Sequence, residues 1–221
     1  MKLKSYHRRL LFSLLVLSIF LCGVSFIIPS AEVTSIDGKS KTSFFLWGGQ
    51  FNNDDVNYPP QQLLSYPFLW GGQQLFSYPS MIVYYRELAG TTPAGDWFNY
   101  VKTLIIGYVL LTLALILCVL SSVFGIKGLF HLYRGEFKKE QSWVFSSGVT
   151  AILGLIMYFV VMSFLILPSS IPSSLSGVTI DVTGLHESWG AGFYLFLCGG
   201  LILIIIGSRK YIKQINEELK K

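Results

Sequence analysis

Side chains able to do chemistry are few in this 221-residue chain, and they are scattered. The three cysteines, Cys22, Cys118 and Cys198, each fall inside a long uncharged stretch. None can staple a loop and none has the spacing of a zinc site, so they read as small packing residues. His7, His131 and His186 lie far apart. His186-Glu187 lacks the second histidine that a helical zinc-protease pattern places four residues after the first. There is no Gly-x-Ser-x-Gly, no phosphate-binding loop and no Asn-x-Ser/Thr sequon. The expectation is a protein that is not an enzyme, with no catalytic residue, no cofactor and no metal.

The pattern that does stand out is aromatic and repeated. Phe45-Leu46-Trp47-Gly48-Gly49-Gln50 recurs as Phe68-Leu69-Trp70-Gly71-Gly72-Gln73. Gln62-Leu63-Leu64-Ser65-Tyr66-Pro67 recurs as Gln74-Leu75-Phe76-Ser77-Tyr78-Pro79. The first copy carries an extra polar segment, residues 51–61. This is a local duplication, too short for a solenoid. It can be two equivalent strand-and-turn units whose Gly-Gly pairs permit a tight backbone path, or an aromatic recognition surface on an exposed loop. Trp47, Trp70, Phe45, Phe68, Phe76 and Tyr84 are the candidates for either ectodomain core or interaction surface. Trp47 and Trp70 are expected to be mainly structural, because a small domain without disulfides depends on the apolar burial it can find.

The elements that must position these residues follow from composition. Hydrophobic residues make up 52% of the chain and charged ones 13%, where a soluble domain carries about 25% charged residues. Four long stretches hold no Asp, Glu, Lys, Arg or His: residues 10–28, 104–124, 143–167 and 188–207. Each approaches or exceeds the roughly 20 apolar residues that cross a bilayer as a helix, and helices satisfy their backbone polar groups internally. The composition excludes a disordered chain, a nucleic-acid-binding arm and an ordinary soluble enzyme. The first stretch is longer than a signal h-region, and Pro29-Ser30-Ala31 is a poor cleavage site, so it reads as an uncleaved anchor.

Basic residues set the orientation. Thirteen of the seventeen lie in residues 1–9, 125–142 and 208–221, which become the cytoplasmic N-terminus, cytoplasmic loop and cytoplasmic tail. The remaining four are Lys39, Lys41, Arg86 and Lys102. The outside segments are then a β-rich loop, 29–103, and a second loop, 168–187. The expected location is a cell membrane, multi-pass, with both termini cytoplasmic. Membrane lipids are the first partner, and nucleic acid is not one.

Strand signals fill the outside loops. Residues 32–36 and 39–47 flank Asp37-Gly38, a strong hairpin signal. Residues 81–85 form a compact β-branched and aromatic run, which predicts a further strand. Val178, Ile180 and Val182 alternate with Thr179, Asp181 and Thr183, the period of a half-buried strand. A lone short strand is unstable, so this one is expected to pair with the first loop's sheet. The fold class is thus a membrane α-helical protein: a four-helix up-down bundle with a small extracellular β-sheet built from both outside loops.

The spans hold none of the ionisable residues that pumps and carriers place at membrane depth. They do hold stripes of small residues: Gly107, Ala114 and Ser121; Ser147, Ala151 and Gly154; Gly192, Gly199, Gly200 and Gly207; Ser18, Cys22 and Ser25. Such stripes let helices approach closely within a bundle or between copies.

By layout, the chain resembles the claudin and peripheral-myelin-protein tetraspan group: four spans, a long first loop and a short second loop. Leu46-Trp47 and Leu69-Trp70 are similar to that group's Gly-Leu-Trp element, although here the glycines follow the tryptophan and the group's cysteine pair is absent. The resemblance implies a helical bundle carrying a sheet built from both loops. The functional expectation is a non-enzymatic membrane protein acting through protein–protein contacts of ectodomain and bundle, with a protein partner or a second copy of itself. Its role would be structural, adhesion-like or that of an accessory subunit. The alternatives are a small channel or carrier, or a membrane protein that binds a lipid or small molecule.

Overall fold

The computed structural model describes residues 2–35, 40–53, 69–70, 73–91, 95–166 and 185–218. In chain order the elements are α1 (Lys2–Ser25), β1 (Ala31–Ser35), β2 (Ser40–Phe44), β3 (Gly48–Asn53), β4 (Leu69–Trp70), β5 (Gln73–Ser77), α2 (Tyr78–Thr91), α3 (Asp96–Arg134), α4 (Phe137–Val161), β6 (Leu185–Trp189) and α5 (Ala191–Glu218). A π-helical turn, Met162–Ile166, continues α4. The protein is mostly helical with one small antiparallel sheet.

Three helical segments, Phe98–Arg134, Lys139–Ile166 and Ala191–Arg209, are long and apolar enough to cross a membrane, and Arg9–Ser25 is a shorter apolar helix. Their outward faces carry Phe20, Ile106, Phe164 and Ile205, each more than half exposed. Apolar side chains turned outward along whole helices suit lipid rather than water. These features mark a membrane protein with transmembrane helices.

Small residues make the helix contacts. A Cβ on Gly148 would lie 2.6 Å from the Ile204 backbone nitrogen, and one on Gly207 would lie 2.5 Å from that of Phe145, so α4 and α5 touch backbone to backbone. Gly154 packs on Ala114 and Cys118 of α3, and Gly199 packs on Ser18 and Cys22 of α1. Between α3 and α4, Ser147 Oγ donates to the Ser121 carbonyl at 2.6 Å. All the small-residue stripes read from the sequence are buried within the bundle, which is how helices associate where lipid offers no hydrophobic drive.

The stretch read as a connecting loop, 125–142, is helical apart from Gly135 and Glu136. Gly135 adopts φ 78°, and the Gly135 and Glu136 N–H groups donate to Leu132 and His131 carbonyls at 3.1 and 2.9 Å. This left-handed glycine cap ends α3, and α4 restarts at once. With 39 residues, α3 is about 58 Å long at 1.5 Å per residue.

The sheet order is β4-β5-β3-β2-β1-β6, and every pairing is antiparallel. β1 and β2 pair with Thr34 opposite Lys41, as the Asp37-Gly38 signal predicts; residues 36–39 lie outside the described residues. Ala31 and Phe44 face each other and are buried. On the next register position Glu32 accepts hydrogen bonds from Lys41 Nζ at 2.9 Å and Ser43 Oγ at 3.3 Å. Along this part of β1 and β2, one face is therefore apolar and buried, and the other is polar.

One strand expectation changes, and another is not reached by the described residues. Residues 81–85 are not a strand but the middle of α2. Ser77 and Ser80 cap that helix reciprocally: the Ser80 N–H donates to Ser77 Oγ at 3.3 Å, and the Ser77 N–H donates to Ser80 Oγ at 3.1 Å. Pro79 suits the first turn. Tyr78, Met81, Ile82, Tyr85 and Leu88 then share one face at helical spacing, which outweighs β propensity. The alternating segment 178–183 lies outside the described residues. Among the described residues, the strand that pairs with β1 on the side away from β2 is Leu185–Trp189, with Ala31 opposite Trp189. Consequently α5 begins at Ala191, not at 188. Gly190 and Gly192 sit directly on the backbone of Ile28 and Pro29, with no room for a side chain. Their N–H groups donate to the Ser30 and Pro29 carbonyls, each at 3.0 Å. This close approach draws residues 185–189 alongside β1.

Candidate functional site

The first repeat copy lies where sheet meets bundle. β2 and β3 are joined so tightly that Phe45 N–H donates to the Gly48 carbonyl at 2.8 Å, leaving Leu46-Trp47 as a two-residue turn. Leu46 is 1% exposed. The Trp47 indole N–H donates to the Phe26 carbonyl at the end of α1, at 2.8 Å. Its ring stacks on Phe45, with centroids 5.4 Å apart and planes at 16°. The Tyr78 hydroxyl, fully buried at the start of α2, donates to the Phe45 carbonyl. Burial pushes that phenol well above its usual pKa, with neighbouring Tyr158 adding to the effect, so it remains a neutral donor.

The second copy is used differently. Leu69 and Trp70 lie within β4, where Trp70 pairs with Gln73 of β5. β5 in turn pairs with β3, with Phe76 opposite Gly49. The two copies are therefore neighbours in one sheet, offset in the role that each repeat position takes. Phe68 lies outside the described residues. Tyr84 lies on α2, half-buried, edge-on to Tyr85 at 5.1 Å. Of the six candidate residues, Phe45 and Trp47 meet in one cluster, and Tyr84 belongs to another.

That second cluster is a tyrosine stack on α2 and α3. Tyr85 stacks on Tyr108 at 5.6 Å and 13°, and Tyr78 lies 6.2 Å from Tyr108. A third gathers around Trp189, whose ring lies 4.8 Å from Phe159 and 5.0 Å from Phe193. Sequence reasoning passed over Tyr78, although the Ser-Tyr-Pro of the repeat placed it beside a helix start. It also counted Trp189 as part of a span.

The opposite end of the bundle is ionic. Glu140 is 1% exposed, and its Oε1 lies 3.6 Å from Arg209 Nη2 of α5. The Arg209 Nε–H donates to the Ile206 carbonyl at 2.7 Å. Beside this pair, Glu136 binds His131 Nδ1 and Lys139 Nζ, each at 3.0 Å. The hydrogen bond from Lys139 holds the Glu136 carboxyl below its ordinary pKa; slight desolvation opposes this, and His131 adds to it. Lys127 lies over Trp143 at 4.8 Å and Arg134 over Phe130 at 4.1 Å, contacts that suit a membrane–water boundary. Glu140 and Arg209 were missed because each flanks an uncharged stretch, where a charge reads as the end of a span.

Among the described residues no group of three His, Cys, Asp or Glu side chains could hold a metal ion. What the seam's geometry does is fasten: two hydrogen bonds to backbone carbonyls, one buried leucine and one stacked ring pair join the sheet to α1 and α2. No protein-family model matches the chain, and no curated protein sequence matches it.

Proposed function

We propose that this is a non-enzymatic, four-span integral membrane protein of claudin-like layout, acting through protein–protein contacts of its sheet domain and bundle. In this reading α1 is the additional span, both termini are cytoplasmic and the sheet is extracellular. The thirteen-to-four partition of basic residues supports the orientation. The partner is a membrane-complex subunit, an envelope component or a second copy of the chain.

The observation that carries the reading is the way in which the six-stranded sheet is held. Strand β6, which precedes the last helix, pairs with β1, which follows the first. The sheet is also tied to the bundle by Trp47 and Tyr78. A sheet held this rigidly presents its polar side, Glu32, Lys41 and Ser43, in a constant geometry, as a recognition surface requires. The stretches between the charged helix ends offer no ionisable group for coupled transport.

Two experiments test this. Cysteines introduced at Ser40 and Lys138 should label from outside and from inside, respectively; outside labelling of position 138 in intact cells would overturn the topology. Purification in mild detergent should yield a stoichiometric partner or a defined oligomer, and Lys41→Glu should weaken that association while leaving the melting temperature within a few degrees. A monomer that moves ions in liposomes would replace this reading with a channel or carrier.

A further inference from the structure

The outward face of α3 is one stripe that changes character near its end. Val109, Leu113, Ile116, Leu120 and Val123 follow one another at alternating steps of four and three, and all are exposed. The same steps lead on to Lys127, Phe130 and Arg134, exposed as well. Residues so spaced share one face of a helix, so the apolar stripe runs directly into two cations. Lys102 closes the stripe at its other end. At 1.5 Å per residue the two lysines lie about 37 Å apart along the axis, between the roughly 30 Å of the hydrocarbon core and the 40–45 Å that includes the headgroups. Lys127 is thereby placed at headgroup level.

The composition of the stripe says what covers it. The small residues Gly107, Ala114, Ser121 and Gly128 lie on the buried face of α3, where Gly128 meets Val144 and Ser121 meets Ser147 of α4. The exposed stripe holds no small residue, and small residues are what let helices associate in lipid. A second copy packed there about a two-fold axis along the bilayer normal would also set Lys127 against Lys127 and Arg134 against Arg134. Acyl chains suit the apolar part, and the two cations then face a headgroup.

The other described cations at this end are engaged by carboxylates: Arg209 lies 3.6 Å from Glu140, and Lys139 and His131 each lie 3.0 Å from Glu136. Lys127 and Arg134 have no carboxylate partner among the described residues. Each rests on a ring instead, Lys127 Nζ 4.8 Å from the centre of Trp143 and Arg134 Cζ 4.1 Å from that of Phe130. The second contact folds Arg134 back by one turn, to a level only about 4.5 Å beyond Lys127. A ring under a cation orients it and leaves its N–H groups able to donate to an oxygen anion.

We propose that Lys127 and Arg134 form a binding site for the phosphate of an anionic phospholipid whose acyl chains lie along the apolar stripe of α3. Arg134 supplies paired N–H donors to the phosphate oxygens, and Lys127 adds a point charge. The site rests on α3 as a membrane span. The proposed cytoplasmic orientation decides only the leaflet, the inner one, where anionic lipids gather.

The test is lipid retention by the full chain, read by native mass spectrometry from mild detergent with phosphatidylglycerol or phosphatidylcholine added. The wild type should retain one phosphatidylglycerol in preference to phosphatidylcholine. Lys127→Gln with Arg134→Gln should weaken that retention by about 30-fold, roughly fivefold for each cation. Lys127→Arg with Arg134→Lys keeps both charges and should keep the preference, which separates lost charge from lost fold. Lys102→Gln removes a cation at the far end of the stripe and should change nothing. Equal retention of the two lipids by the wild type would overturn the proposal. So would a preference that survives the double glutamine variant, or full competition by inorganic phosphate. Disulfide cross-linking of two copies through Leu113→Cys in nanodiscs would overturn it by showing a second copy on the stripe. Retention in detergent is independent of sidedness, so outside labelling of position 138 would move the site to the other leaflet and leave it standing.

Discussion

At the sheet end, Leu46, Trp47 and Tyr78 close the bundle by packing and by hydrogen bonds between neutral groups; at the other end Glu140, Arg209, Glu136, His131 and Lys139 close it with ion pairs. The difference reflects what each end must hold. A sheet laid over helix ends can bring apolar side chains and carbonyl acceptors into one buried layer. Helix ends that emerge into water keep their charges solvated, and only a charge drawn inward, such as Glu140, needs a dedicated partner. The seam should therefore respond to lost volume and be indifferent to salt and pH, and the ionic end should do the reverse.

The largest expected effect comes from leaving a buried charge alone. Arg209→Leu strands Glu140 and should cost about 3–5 kcal/mol, read as a large fall in melting temperature in detergent. Adding Glu140→Leu to it should recover most of the loss, because a pair replaced by apolar groups is often tolerated. If the double variant were no better than the single one, the ion pair would not be what holds α4 to α5 there.

At the seam, Leu46→Ala should cost about 2–5 kcal/mol, the range for a buried leucine, and the loss should be the same at low and high salt. A smaller change separates packing from hydrogen bonding. Trp47→Phe keeps a ring on Phe45 and removes the indole donor to the Phe26 carbonyl, for about 1 kcal/mol. An unchanged melting temperature in both variants would mean that the first repeat copy is not structural.

The smallest effect is a pH dependence confined to the ionic end. The folded-state pKa of Glu136 is depressed by Lys139. Its contribution is therefore present above the unfolded carboxylate value, about 4.3, and is lost as pH falls through the lower folded value. Glu136→Gln should flatten the acid limb of a melting-temperature profile, while Trp47→Phe should leave the shape of that limb unchanged.

How much was legible in the sequence differs between these regions for the same physical reasons. The long uncharged stretches announced helices at membrane depth because lipid imposes a length and excludes charge locally. The small-residue stripes announced helix contacts, and the stripes are buried. The Asp37-Gly38 pair announced that its flanking strands would pair. Residues 81–85 misled because β-branched and aromatic residues favour strands only when a sheet is there to receive them; here the Ser77–Ser80 cap starts a helix whose buried face packs on α3. Leu185–Trp189 could not be read because its strand character comes from β1, more than a hundred residues away.

Sequence alone determined the apolar helices and the existence of the repeat, since each is set by neighbours along the chain. Only the tertiary structure decided what the repeat does. In one copy Leu46-Trp47 is the turn and plugs the seam; in the other Leu69-Trp70 is itself a strand. Identical residues take different places because strand register is chosen by which neighbouring strand and which buried layer a segment meets, and no local pattern carries that information.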